Sequence, residues 1–363
     1  MDVRKRKIGT IKVMEKRNII VIGASAGGFE AIKQLTAALP PDFDASIFIV
    51  WHMAPDVTGV LPQVINRQKT VTAANATDYE SIVSNRIYVA PPDRHLVLEK
   101  GMVRVTKGPK ENRFRPAVDP LFRSAAYVYG RRVIGIILSG ALDDGTSGLW
   151  TIKSRGGIAV VQDPADAGVP SMPEHALAAV DVDYQLPVAE MAALLIKLIA
   201  EQITEVKEVD MEEQKKTGIE VRIAMRDPAL NKGVLDLGKF SPFACPDCHG
   251  VLAEIKDDDI IRYRCHTGHA FSPDSLLATI TENIEDSLWN AVREVEESVI
   301  LLNNLGDHYA EKNQPRLAAI YFKKAHEAEA RAKIVRQAFE SHEQLTHDRI
   351  SREAAEENGD ENH

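Results

Sequence analysis

The sequence has little cysteine, few aromatic residues and no excess of positive charge. Three of its 363 residues are cysteine, and aromatic residues make up 6% of the chain. An odd and small number of cysteines argues against a disulfide framework and is typical of a reducing, cytoplasmic protein. The formal net charge of −9 argues against general nucleic-acid binding.

Long hydrophobic runs are also missing. No apolar run approaches the ~20 residues that a membrane-spanning helix requires. Residues 1–17 are basic but contain no apolar segment, so they do not form a secretory signal. We expect them to form a basic, disordered tail.

From Asn18 to about Ala200, short β-rich runs alternate with helical patterns. This alternation predicts an α/β fold in which a doubly wound, mostly parallel sheet is covered on both faces. We assign 18–202 to this domain. The strand candidates are 19–22, 47–50, 86–89, 96–98, 133–138 and 158–162, and the helix candidates are 29–38, 58–66, 120–129, 146–155, 173–179 and 188–201.

A glycine-rich turn follows the first strand candidate. Residues 23–27 read Gly-Ala-Ser-Ala-Gly, and a helical pattern begins near Phe29. A strand–turn–helix of the G-x-S-x-G type presents its serine above the sheet as a nucleophile. The N–H of Ala26 and the start of the helix lie beside that hydroxyl, where they can stabilise an oxyanion. The turn therefore predicts Ser25 as nucleophile and Ala26 as an oxyanion donor.

The same turn is also compatible with dinucleotide binding. That function requires an Asp or Glu at the end of the next strand to hold the ribose. Here the next strand, 45–50, is followed by Trp51 and His52. The histidine argues against NAD and supplies a general base instead.

A serine nucleophile needs a base, and the base needs an orienting acid. His52 follows one strand candidate, and Asp143 and Asp144 follow another in a glycine-rich loop. Because the carboxyl ends of parallel strands meet at one edge of a sheet, these groups could meet Ser25 there. Either aspartate could instead cap the following helix, and spacing does not choose between them.

Several motifs, in this order, resemble the catalytic domain of the chemotaxis protein-glutamate methylesterases, the CheB type. They cover roughly 18–200 and are 21–28 (VIGASAGG), 52–55 (HMAP), 87–95 (IYVAPPDRH), 112–122 (NRFRPAVDPLF), Asp144-Gly145 and Met172-Pro173. The resemblance implies Ser25 as nucleophile, His52 as base and Asp144 as orienting acid. It also implies hydrolysis of glutamate γ-methyl esters on chemoreceptor signalling helices with release of methanol, and glutamine deamidation in related enzymes. No cofactor is expected for catalysis.

The sequence departs from that family in three ways. Ala26 stands where the family often has Thr, and Ala141-Leu142 replaces a common Met-Gly pair, so the pocket wall is altered. The family usually has a phosphoacceptor receiver domain before the catalytic domain. Because the first strand starts at Asn18, we expect no receiver domain here and no activation by phosphorylation of this chain.

A local surplus of basic residues lies between Lys107 and Arg132. It could steer an acidic helical partner to the domain. Within it, 112–115 resembles the family's loop beside the active site. We therefore expect Asn112, Arg113 and Arg115 to bind substrate.

All three cysteines lie in a short module over 241–272, after a segment that we interpret as a linker, 203–240. Their spacing is C-x2-C-x16-C-x3-H, formed by Cys245, Cys248, Cys265 and His269. Two short turns that each supply two metal ligands, known as zinc knuckles, predict a tetrahedral structural zinc site in a ribbon-like module. His266 could replace His269, but the longer gap fits the second knuckle better. A C-x-x-C redox pair would not need the second knuckle.

Residues 273–347 show helical periodicity. Apolar residues from Leu277 to Leu302 recur at steps of three and four, Gly306 interrupts the pattern, and 317–339 offers a second amphipathic helix. We predict an α-helical hairpin that could dimerise or dock a signalling partner, followed by an acidic, disordered tail over 348–363. In the alternative sequence-based function, the protein is a signalling scaffold that binds partners through ribbon and hairpin, with a vestigial esterase domain.

Overall fold

The computed structural model describes residues 15–52, 60–203, 210–225 and 233–360. The chain divides into two compact units, 1–273 and 274–363. In the described part of the first unit, the strands are β1 Ile19–Ala24, β2 Ser46–Trp51, β3 Thr72–Asn75, β4 Glu80–Ser81, β5 Arg86–Val89, β6 His95–Glu99, β7 Met102–Thr106, β8 Val133–Ile137, β9 Ile158–Gln162, β10 Tyr184–Leu186, β11 Lys239–Ala244, β12 Val251–Asp257, β13 Ile260–Cys265 and β14 Ala270–Phe271.

Seven of these strands form the central sheet, in the order β10-β9-β8-β1-β2-β5-β3. Every pairing in it is parallel. The chain leaves β1 toward β2 on one side and later returns to β8 on the other. This places the topological switch point at the carboxyl end of β1, where ligands of open α/β sheets bind.

Helices cover both faces of this sheet. Those of the first unit are α1 Gly28–Ala37, α2 Val60–Arg67, α3 Val118–Tyr129, α4 Thr146–Ser154, α5 Ser171–Ala179, α6 Val188–Ala200 and α7 Met211–Ala224. Helices α1, α2 and α6 bury apolar residues against one face of the sheet, together with Ile20 and Ile22 of β1. Helices α3, α4 and α5 do so against the other face, with Ile19 and Val21. The predicted doubly wound α/β sheet is therefore confirmed.

Not every strand lies where the periodicity placed it. The candidate at 96–98 belongs to a separate antiparallel sheet, β4-β7-β6, and not to the central sheet. The helix predicted from residue 58 is described only from Val60, since 53–59 lie outside the described residues.

The linker prediction for 203–240 is wrong in its central part. Residues 211–224 form α7. The hydroxyl of Thr106 donates a hydrogen bond to the carbonyl of Ala224, and Arg155 Nη2 donates to Thr217 Oγ1 at 3.0 Å. These contacts pack α7 onto the catalytic domain. A free linker would make no such specific side-chain contacts.

The cysteine-containing module is an antiparallel sheet in the order β11-β12-β13-β14. It belongs to the same compact unit as the central sheet, so 18–202 does not form a unit by itself.

The prediction of a disordered N-terminal tail over 1–17 needs correction at the end of that segment. Lys16 forms an antiparallel bridge with Gln202, and Arg131 Nε donates to Glu15 Oε2 at 2.8 Å. Residues 1–14 lie outside the described part.

Three helices form the described part of the second unit, the first of them starting at the last residue of the first unit: α8 Pro273–Glu311, α9 Pro315–Glu340 and α10 His347–Asp360. Trp289 packs against Phe339 with ring centroids 4.3 Å apart, and Arg336 pairs with Glu296, so α8 and α9 form the predicted hairpin. Gly306 does not end α8. A Cβ there would lie 2.6 Å from the Phe322 ring, so the glycine permits close approach of α9.

The C-terminal tail was predicted to be disordered over 348–363, whereas α10 extends to Asp360. Among the described residues, no helix combines the length and apolarity needed to cross a membrane.

Candidate active site

Ser25 lies in a sharp turn between β1 and α1. Its N–H donates to the carbonyl of Ser139 at 2.9 Å, and its own carbonyl accepts from Gly28 N and from Trp51 Nε1. Gly27 has φ +75° as the N-cap of α1, and no side chain caps that helix. The uncapped N–H groups of α1 thus provide partial positive charge next to the serine.

A glycine opposite the turn makes room for Ser25. A Cβ on Gly140 would lie 2.8 Å from the Ser25 Cβ and 2.0 Å from the Met172 sulfur. The glycine-rich loop after β8 therefore has to approach the serine as bare backbone.

His52 follows β2, the neighbour of β1, and its ring pairs with Asp144. The Nε2–Oδ2 distance is 2.8 Å, and both side chains are buried. The other ring nitrogen, Nδ1, is buried and has no hydrogen-bond partner among the described residues. Because an ionised carboxylate only accepts hydrogen bonds, Nε2 carries the proton and Nδ1 presents its lone pair.

Asp144 accepts hydrogen bonds on both oxygens. Oδ2 accepts from the N–H of Val118 at 2.7 Å, and Oδ1 accepts from Asn112 Nδ2 at 2.9 Å. Burial by itself would raise the pKa of Asp144. The hydrogen bond from His52, the positive charge of that ring when it is protonated, the Val118 N–H and Asn112 outweigh burial and hold that pKa below its ordinary value.

Asp143, the neighbouring candidate, has a different partner. Its Oδ1 accepts from the hydroxyl of Ser272 at 2.7 Å. The structure therefore pairs His52 with Asp144 and directs Asp143 toward the cysteine-containing module.

Ser25, Ala26 and His52 line one cavity of about 530 Å³. Its walls combine aromatic and charged side chains: Phe29, Trp51, Phe114, Lys110, Arg113, Arg115 and Asp93. Apolar rings with a few charged groups are typical of a cavity that orients a ligand.

Two of the three predicted substrate-binding residues, Arg113 and Arg115, line this cavity. Arg115 Nε donates to Asp93 Oδ1 at 2.8 Å, and Lys107 Nζ lies 3.0 Å from Asp93 Oδ2. Partial burial would raise the pKa of Asp93, but Arg115 and Lys107 hold it below its ordinary value. The negative charge of Asp93 thereby holds the side chains of Arg115 and Lys107 in place.

Asn112, the third predicted residue, is not in the wall of this cavity. It is 5% exposed, and its Nδ2 donates to both Asp119 Oδ2 and Asp144 Oδ1. Sequence reasoning missed Phe114, whose ring stacks on His52 with centroids 3.8 Å apart and planes 12° apart. An aromatic residue inside a basic loop was the available signal for it.

The four predicted metal ligands lie together. The ligand atoms of Cys245, Cys248, Cys265 and His269 are all within 4.8 Å of one another, and His266 is not part of this cluster. Cys248 and Cys265 have their sulfurs 3.6 Å apart, which excludes a disulfide between them. Nδ1 of His269 lies 3.7 Å from Cys245 Sγ and from Cys265 Sγ.

The fold and the site define a doubly wound α/β protein with a buried His–Asp pair and a cavity-lining serine turn at the switch point of a parallel sheet. Residues 20–195 match the CheB methylesterase family. A relative from Leptospira interrogans is 41% identical over 180 residues, which is 49% of this chain and 93% of that protein.

A protein-glutamate methylesterase/protein-glutamine glutaminase of Anaeromyxobacter dehalogenans is 37% identical over 196 residues, or 58% of its length. The crystal structure of the Thermotoga maritima CheB methylesterase catalytic domain matches with 33% identity and a TM-score of 0.49, covering all of that chain and 51% of this one. The extent and identity of the Leptospira match decide the assignment: this chain belongs to the CheB methylesterase family.

Proposed function

We propose that this protein hydrolyses glutamate γ-methyl esters, and deamidates glutamines, on chemoreceptor-type signalling helices. The observation that carries the proposal is the state of the His52 ring. Its Nε2 donates to Asp144, and its buried Nδ1 has no hydrogen-bond partner among the described residues. A lone pair kept free beside a cavity that Ser25 also lines is what a general base for that hydroxyl requires.

In the proposed mechanism, Ser25 Oγ attacks the ester carbonyl while His52 accepts its proton. The carbonyl oxygen becomes an oxyanion, which the N–H of Ala26 and the N-terminus of α1 stabilise. His52 then returns the proton to the leaving methoxide, and methanol departs. Water, deprotonated by His52, hydrolyses the acyl-enzyme and regenerates Ser25. Asp144 holds the imidazole in one tautomer and stabilises its protonated form. For a glutamine substrate, ammonia leaves in place of methanol.

The charge of the cavity supports an acidic protein substrate. Lys110, Arg113 and Arg115 line it, and Asp93 is the single carboxylate that the described residues contribute to its wall. Such a surface attracts helices rich in glutamate and disfavours basic partners. Phe29, Trp51 and Phe114 offer apolar contact for the methyl ester itself.

The test combines a methanol-release assay on methylated chemoreceptor fragments with labelling by a fluorophosphonate probe. We expect release by the wild-type protein, and labelling that Ser25→Ala abolishes. A folded protein that neither releases methanol nor is labelled would contradict the proposal and favour a scaffold function.

We also infer that Cys245, Cys248, Cys265 and His269 hold one structural Zn²⁺. A tetrahedral ion with Zn–S bonds of about 2.3 Å places its ligand atoms about 3.8 Å apart. The separations of 3.6 and 3.7 Å in the cluster agree with that value. Four protein ligands leave no open position, so this metal supports the fold and takes no part in the hydrolysis.

Metal analysis of freshly purified protein tests this inference. We expect one zinc per chain in the wild type and much less in Cys248→Ser. A zinc-free wild type would refute the ligand assignment.

A further inference from the structure

The end of the cysteine-containing module is hydrogen-bonded to the loop that carries Asn112. We name residues 107–116 the arginine loop. The N–H of Asn112 donates to the carbonyl of Ala270 at 2.8 Å, and the N–H of Ala270 donates to the carbonyl of Lys110 at 3.2 Å. The N–H of Ser272 donates to Asn112 Oδ1 at 2.9 Å. β14 and the residue after it thereby extend along the arginine loop.

A buried charge cluster reinforces this contact. Arg264 of β13 lies with Nη1 3.1 Å from Glu111 Oε1 and with Nη2 2.8 Å from Glu220 Oε1. Arg123 pairs with the other oxygen of Glu111. Burial would raise the pKa of Glu111, but Arg123 and Arg264 hold it below its ordinary value. The carboxylate of Glu111 in the arginine loop therefore pairs with one arginine of α3 and with one arginine of the cysteine-containing module.

The arginine loop needs such support because its turn has an unfavourable backbone. Asn112 and Arg113 have φ of +48° and +76°, a region that residues other than glycine rarely occupy. Glu111 and Phe114 close the turn by exchanging both backbone hydrogen bonds. A residue with a Cβ is strained in that conformation, so the surroundings must maintain it.

The turn in question contacts both members of the His–Asp pair. Asn112 donates to Asp144, and Phe114 stacks on the His52 ring. A chain of direct contacts therefore leads from β13 and β14, through the turn at 111–114, to the imidazole that we assign as the base.

We propose that the cysteine-containing module is a positioning element of the hydrolase site. Arg264, Ala270 and Ser272 hold the turn at 111–114, and Asn112 in that turn is a positioning residue that fixes Asp144. This inference rests on the proposed function for its kinetic consequence. Its structural consequence, the restraint of the turn, does not depend on that function.

The experiment compares Arg264→Gln with Arg262→Gln in the full-length chain. Both arginines lie on β13, are buried and pair with Glu220. Arg262 makes its second ion pair with Asp257, whereas Arg264 makes its own with Glu111. The two substitutions remove one buried charge each, and only one of them releases the arginine loop.

We expect Arg264→Gln to lower kcat by about ten- to hundredfold on a small activated ester, because modest displacement of catalytic groups has effects of that size. KM for this small ester should change by no more than roughly twofold, since so small a substrate does not depend on the charged side chains of the arginine loop. Hydrogen exchange of the amides in the turn at 111–114 should be faster in Arg264→Gln than in Arg262→Gln. Arg262→Gln should keep the wild-type kcat at a temperature where both variants are folded.

An equal loss of kcat in both variants, or unchanged exchange in the turn, would overturn the proposal. A rise in KM for the receptor fragment, with unchanged kcat on the small ester, would show that the module binds substrate instead. If the wild type hydrolyses no ester, the proposed function fails, and the exchange comparison still decides whether the module restrains the turn.

A second pair of variants covers the case in which Arg264→Gln does not fold. Asn112→Gly suits the positive φ and removes the side chain that joins Asp144 to Ser272 and also donates to Asp119. Asn85→Gly is its control, because Asn85 has φ +58° and also donates a side-chain hydrogen bond, to the carbonyl of Pro41. We expect a fall in kcat of about tenfold or more for Asn112→Gly alone. Equal kcat in these two variants would contradict the role of Asn112.

Discussion

Replacing Asp144 by asparagine tests the proposed base most sharply, because the site around this carboxylate consists of donors. Val118 N–H and His52 Nε2 point at one oxygen, and Asn112 Nδ2 points at the other. An amide has one oxygen and one NH₂ group. Whichever way it is oriented, its NH₂ group must face a donor.

Each orientation has a definite consequence. With the amide oxygen toward His52, the NH₂ group faces Asn112, and each buried donor left unpaired costs about 1–3 kcal/mol. With the NH₂ group toward His52, Nε2 has to accept, and the ring proton moves to Nδ1. That tautomer cannot take a proton from Ser25. We therefore expect kcat to fall by about 10⁴-fold, the loss that the same change causes in a serine protease triad.

The assay is methanol release at saturating substrate, with the melting temperature as a check on folding. Asp143→Asn is the matched control, because an amide oxygen can still accept from the Ser272 hydroxyl. We expect this variant to retain most of the activity. Near-wild-type turnover by a folded Asp144→Asn variant would refute the assignment of Asp144 as orienting acid.

Three further predictions concern the nucleophile, the metal and pH. Ser25→Ala and His52→Ala should each abolish methanol release, and the double variant should be no worse than either, because such residues act as a unit; additive losses would contradict this. Cys248→Ser should lose zinc and lower the melting temperature, and an unchanged melting temperature would argue against a structural role. Burial raises the pKa of Asp119 to about 6, above its value of about 4 in the unfolded chain. Between pH 4 and 6 the folded state therefore holds a proton on Asp119 that the unfolded state has lost. The contribution of Asp119 to stability decreases as pH rises through that window. Relative to the wild type, Asp119→Asn should thus gain on the order of 3 kcal/mol in free energy of unfolding from pH 4 to 7, and a pH-independent difference in urea unfolding would rule this out.

The sequence was sufficient for the middle of the central sheet because the strands there are continuous apolar runs. β1, β2, β8 and β9 are buried on both faces, and their bounds lie within two residues of the predicted ones. β3, with the sequence Thr-Ala-Ala-Asn, has no such signal and was missed. Its place in the sheet depends on pairing with β5, which is a tertiary effect.

Helix α7 shows why local patterns can mislead. Ile219, Val221 and Ile223 alternate as in a strand, yet all three are buried in a helix. The second half of α7 is enclosed on most sides, so its apolar residues need not follow one helical face. Glu220 is also buried there, and only its arginine partners, distant in sequence, explain that.

The candidate site was predictable where strand ends supply the side chains, as for Ser25 and His52. The contact between Asn112 and Asp144 was not. It depends on a turn with positive φ that β14, more than 150 residues later in the chain, helps to hold. No spacing rule within the loop could have shown that Asn112 faces the acid and not the cavity.

The shared carboxylates of the buried charge cluster bear on how the protein is made. Glu111 and Arg123 leave the ribosome long before Arg264, so the nascent domain has to fold its sheet while one side of this cluster lacks its partner. We expect the turn at 111–114 to stay open during that interval. The growing chain would then reach its full rate of hydrolysis only once the cysteine-containing module has been translated and has docked.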